Sequence, residues 1–131
     1  MIYFDEPFLA VSSVEEGNII WAEWKGTPAG EPLRNGLAAG LKAVVENQSS
    51  KWLADTRHLG TMDPLDVKWV NDNWIPRAVA AGIRWMAFVT PVRVIMQIQV
   101  KSFMARIDGR ELANSYFGNI DEAWAWLRAQ H

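Results

Sequence analysis

The chain has no cysteine among its 131 residues. That excludes disulfides, thiolate catalysis and the common structural zinc sites at once, and it fits a reducing compartment. Histidine is almost as scarce. His58 is the only internal one, and His131 is the last residue, so a metal site is not expected. No cofactor-binding pattern is found, and G-x-G-x-x-G is absent. No apolar run approaches the ~20 residues a membrane span needs. The opening MIYFDEPF lacks the basic and apolar regions of a signal peptide. Net charge is −2 with Lys and Arg scattered, which leaves no basic footprint for nucleic acid. These absences together predict a cytoplasmic protein.

Tryptophan, by contrast, is abundant: there are eight. Its rings fill cores, but they also anchor interfaces and wall apolar pockets. Trp21 and Trp24 sit on opposite faces of one apolar run, so only one is expected in the main core.

The elements follow one another without a linker, repeat or low-complexity tract. FLAVSSV and NIIWAEWKG read as a hairpin joined at Gly17-Asn18, and Gly26-Thr27-Pro28 ends it. EPLRNGLAAGLKAVVEN has helical spacing, with Leu33, Leu37, Leu41, Val44 and Val45 on one stripe. Gly36 and Gly40 border that stripe and predict close packing on a sheet. KWLAD is a short strand. Asp63 then caps a helix, with Pro64 at its first position and Asp66 in a capping-box-like place.

That helix carries Val67, Val70, Trp74, Ala78 and Ala81 on one face, and Leu65, Trp69, Pro76 and Val79 opposite. Pro76 has no N–H for the Asp72 carbonyl, so a break is expected near residues 73–75, and Gly82 closes the helix. IRWMAFVTP reads as a strand covered on both faces. Residues 92–107 fit both a strand (Val94, Met96, Ile98, Val100) and a helix (Met96, Val100, Phe103, Ile107), with length favouring helix. Asp108-Gly109 reads as a turn, LANSYF as a strand, and Asn119 with Glu122 as the cap of a final helix. The order is ββαβαβαβα, which implies an α/β fold with a small mixed, largely parallel β-sheet and packed helices.

Three stretches carry a resemblance: WLADTRHLG, WVNDNWIPRAVAAG and YFGNIDEAWAWL. Together with the WAEWKG hairpin they resemble bacterial STAS-like, SpoIIAA-like proteins, relatives of the sporulation anti-anti-sigma factors. That group is often described jointly with the CRAL-TRIO lipid-exchange fold. The resemblance covers nearly the whole chain, so it implies one STAS-like domain over residues 1–131. In anti-anti-sigma members a partner kinase phosphorylates a serine that follows an Asp at the start of a helix, and this switches partner binding. Here the Asp falls at Asp63 and the acceptor position at Pro64, which has no hydroxyl. The resemblance therefore implies a regulatory domain that binds proteins without the phosphoswitch.

The candidate residues for a ligand or partner are Asp55, Thr56, Arg57, His58, Asp63, Trp69 and Arg77. The first four lie at the carboxyl end of a strand, where ligands gather in parallel α/β sheets. The structural reading of the same residues is that Asp55 caps backbone N–H groups or pairs with Arg57 or Arg77. Catalysis by Asp55, Arg57 and His58 is a remote alternative, since no third group is seen to orient a nucleophile and base. Trp69 lies off the core stripe with Leu65, which suits either cover by another element or an interface. Three functions are weighed: non-catalytic regulatory binding of a protein partner or a second copy as a homodimer, carriage of a small apolar or lipid ligand, and catalysis.

Overall fold

FLAVSSV and NIIWAEWKG are rich in β-branched and aromatic residues and are separated by turn residues, which is the pattern of paired strands. The computed structural model describes residues 1–90, 94–107 and 112–130. Its strands are β1 (Ile2–Glu6), β2 (Leu9–Val14), β3 (Ile19–Gly26), β4 (Lys51–Leu59), β5 (Trp85–Val89) and β6 (Ala113–Phe117). Its helices are α1 (Gly30–Asn47), α2 (Pro64–Trp69), α3 (Ile75–Ala81), α4 (Val94–Ile107) and α5 (Ile120–Arg128).

The six strands lie side by side in chain order. β1, β2 and β3 pair antiparallel, and β3 through β6 pair parallel. The fold is the expected α/β arrangement around a mixed sheet, with one strand more than the reading anticipates. β1 escapes notice because an edge strand paired on one side tolerates carboxylates, here Asp5 and Glu6. The hairpin turn is as expected, with positive φ at Gly17 (82°) and Asn18 (52°).

Crossovers of one hand that advance steadily in one direction place their helices on one face. Accordingly α1, α3 and α4 all contribute to the main core, against Leu9, Val11, Ile20, Trp24, Trp52 and Met86. The final helix, α5, covers the other face. There Ala123 and Leu127 meet Ile19, Leu53, Ala87 and Val89 in a smaller core. Trp24 belongs to the main core, and Trp21 packs at the edge of the second, edge-on to Trp124 at 5.6 Å.

The glycines of α1 act as expected. A Cβ on Gly40 would lie 2.5 Å from Trp52 Cη2, and one on Gly36 would lie 2.5 Å from Leu9 Cδ2. Val45 corrects the predicted stripe: it is 61% exposed, while Leu33, Leu37 and Val44 are buried.

The Pro76 break takes the form of a π turn over Val70–Trp74 that joins α2 to α3. Ile75 N–H donates to the Val70 carbonyl, five residues back, so the ladder widens just before the proline that cannot donate. Residues 94–107 are helical, which settles the two-period ambiguity. The expected turn at Asp108-Gly109 lies outside the described residues.

Candidate functional site

The strand read as KWLAD runs four residues further, to Leu59. Thr56, Arg57 and His58 are therefore strand residues like Asp55, where the expected strand ends at Asp55. Glu23 pairs with Asp55 and Lys25 with His58, so one residue of β3 stands opposite two of β4. This extra residue in β4 shifts the alternation. It leaves His58 exposed across from Lys25 and returns Leu59 to the main core.

Asp55 shares the sheet face of Leu53 and is only 3% exposed. A carboxylate buried there needs a partner, and Arg57 supplies it as a fork. Arg57 Nε donates to Asp55 Oδ1 at 2.8 Å and Nη2 donates to Oδ2 at 2.7 Å, while the Arg57 backbone N–H reaches Oδ1 at 3.3 Å. Burial works to raise the Asp55 carboxyl, but the Arg57 hydrogen bonds and charge outweigh it and hold the group below the usual carboxylate range. The Trp21 indole N–H adds slightly to that lowering, although no hydrogen bond of normal geometry joins the two. The Asp55 hydrogen bond raises Arg57 in turn, against its own partial burial.

Thr56 faces the opposite side of the sheet, and its hydroxyl donates to the Val89 carbonyl. The alternative Asp55–Arg77 pair is not made. Arg77 is exposed on α3, whose buried residues belong to the other face. Asp55 and Arg57 thus meet, while Thr56 and Arg77 are separated from them by the sheet. A substitution of exposed His58 by alanine is expected to leave stability within about 0.5 kcal/mol in a urea titration. A larger loss would place His58 in the scaffold.

Asp63 caps α2 as expected, with Oδ1 accepting from Leu65 N–H at 2.8 Å. Asp66 does not close a capping box. Its Oδ1 accepts from Gly30 N–H at 3.2 Å and ties the start of α1 to α2. Trp69 is half-buried against the core, and the Arg34 guanidinium of α1 lies 4.6 Å over its ring.

Sequence reading does not find two further features. The first is an apolar cavity of about 80 Å³ between the sheet, α1, the π turn and α4, walled by Trp52, Trp74, Phe88, Phe103 and Gln99. The second is a surface groove between α2 and α4, lined by Thr61, Pro64, Val67, Ser102, Phe103 and Arg106. Val67, Gln99 and Phe103 line both. The available signal was Leu65, off the core stripe beside Pro64 and 75% exposed, together with Ile98, 65% exposed in the ambiguous run.

Among the described residues no group of three or more His, Asp or Glu is placed to hold a metal ion. No described helix is long and apolar enough to cross a membrane. The sequence matches the family model described as SpoIIAA-like over residues 19–128. No curated protein and no solved structure matches it.

Proposed function

The chain belongs to the SpoIIAA-like family, and from that membership we propose that residues 1–131 form one non-catalytic, cytoplasmic STAS-like regulatory domain. It acts by binding a protein partner or a second copy of itself, without a phosphoacceptor at the start of α2. The observation that carries this reading is the corner where α2 begins. Leu65 is 75% exposed and Ile98 is 65% exposed. Ile98 lines the groove between α2 and α4 together with Arg106, and Leu65 follows Pro64, which lines it too. Large apolar side chains held in water beside a groove are typical of interaction surfaces.

Pro64 occupies the position where the anti-anti-sigma relatives carry a serine, so a modification at that position is not the switch here. The catalytic alternative gains nothing from the geometry. Asp55 is committed to Arg57, and no described side chain is hydrogen-bonded to His58 to orient it. A lipid carrier needs far more room. Ligand pockets span ~300–1,000 Å³, against about 80 Å³ for the apolar cavity, while the roomier groove of about 420 Å³ lies open on the surface.

Sedimentation of the wild type and of a Leu65→Asp, Ile98→Asp double variant tests self-association. A dimer in the wild type that falls apart in the variant supports it. For a heterologous partner, a photo-crosslinking residue at position 65 in cells should trap a discrete product that Ile98→Asp abolishes. A wild type that stays monomeric and crosslinks to nothing ends the reading.

A further inference from the structure

Among the described side-chain polar atoms lining the cavity beneath α4, one is buried without a partner, and it is informative. Trp74 Nε1 donates to the Leu37 carbonyl at 2.8 Å. The Thr56 hydroxyl donates to Val89 O. Gln99 Nε2 donates to the Met62 carbonyl at 3.1 Å. Gln99 Oε1 remains, buried and without a partner. An acceptor left unpaired in the interior costs the desolvation of that group, and native proteins keep few of them.

Of the other described lining residues only Trp24 and Trp52 add a polar group, each an indole N–H, and none is charged. An ion would be left there without compensation, so charged ligands are excluded. A water molecule in such a space needs two to four polar partners, and beside Gln99 and Thr56 the wall is overwhelmingly apolar. What fits is a molecule whose body is apolar and which brings one N–H or O–H.

We propose that this cavity binds a compact, uncharged molecule of on the order of five non-hydrogen atoms, such as an N–H heterocycle or a short alcohol, whose one donor Gln99 Oε1 accepts. The size follows from the volume: a 150 Å³ apolar cavity holds benzene, and this one is about half as large. Phe103 is only partly buried and lines both the cavity and the surface groove, which makes the groove the way in. This inference does not depend on the docking reading, because its ligand sits behind the groove rather than on Leu65 or Ile98.

Pyrrole and furan are suitable probes, being five-membered rings of near-equal size of which only pyrrole has an N–H. Titration of ¹⁵N-labelled protein, followed at the indole N–H signals of Trp52 and Trp74, should show saturable shifts with both rings. Pyrrole should bind at least about fivefold more tightly, as a buried acceptor satisfied by one hydrogen bond implies. Gln99→Met keeps the side-chain length and should erase the preference while retaining furan binding. Ala54→Leu should fill the cavity and abolish both. The proposal is overturned by equal affinities in the wild type, by a preference that survives Gln99→Met, or by the absence of saturable shifts at either indole. Should Ala54→Leu fail to fold, the Gln99→Met comparison decides alone.

Discussion

Trp52→Ala is expected to lower the unfolding free energy by about 3–5 kcal/mol, the range for emptying a buried large aromatic site. Trp52 is 2% exposed and meets Trp74 edge-on at 4.8 Å between ring centroids. On its other side lies α1, at Gly40. Domains of this size have about 5–15 kcal/mol in total, so the variant should sit near the limit of folding. Urea titration of both proteins reads the difference directly.

A control isolates the mechanism. Gly40→Ala alone should also destabilise, because its Cβ would stand 2.5 Å from Trp52 Cη2 and overpacking costs about 1–3 kcal/mol. Combined with Trp52→Leu, which withdraws the ring, the same alanine should cost much less. The two changes would then be non-additive, as contacting residues are. A Trp52→Ala cost under about 1 kcal/mol would mean that the ring is not a keystone of the main core.

Asp55→Ala should cost about 2–3 kcal/mol. Breaking a buried pair by removing one member costs about 3–5 kcal/mol, and the figure is reduced here because the Arg57 side chain is 36% exposed and water takes up part of its charge. The pH dependence has a defined sign. Arg57 holds the folded Asp55 carboxyl below its ordinary value, so the unfolded chain takes up the proton first on acidification. The stabilisation is complete above the unfolded value of about 3.9. It disappears as pH falls through the folded one. Asp55→Asn should therefore be less stable than the wild type at neutral pH and lose less on acidification below about pH 4. Parallel stability curves for the two proteins below that point would show that the pair does not carry this linkage.

The sequence declares most of the architecture because the helices other than α4 have a clear stripe and a chemical start or stop. Asp63-Pro64 and Asn119 mark helix starts by their own hydrogen bonding. Pro76 marks the π turn by the donor it lacks. What could not be read depends on neighbours distant in sequence. β1 is a strand because β2 accepts it, not because IYFDE alternates cleanly. β4 continues past Asp55 because β3 carries its ladder on, pairing Lys25 with His58 and Gly26 with Leu59, while the β5 pairing ends at Asp55.

The candidate site was legible only in part, for the same reason. Four adjacent polar residues suggest one cluster, yet alternation along a strand sends Asp55 and Thr56 to opposite faces of the sheet. Only the extra residue in β4 decides where His58 and Leu59 point, and it has no signature in composition. The cavity was invisible because Val67, Gln99 and Phe103 each look like ordinary helix residues until α2 and α4 are brought together.

The placement of α5 has a consequence for biosynthesis. Every strand pairs with its neighbour in the chain, so the sheet and its first layer can assemble progressively as the polypeptide emerges. The second face, with Ile19, Leu53, Ala87 and Val89, is closed among the described residues by α5, through Ala123 and Leu127 with Ile120, Trp124 and Trp126. Until those residues leave the ribosome, a nascent sheet carries one bare apolar side. A chain halted before residue 120 would keep that side uncovered, so chaperones and proteases should recognise it, while release of the last helix ends the exposure.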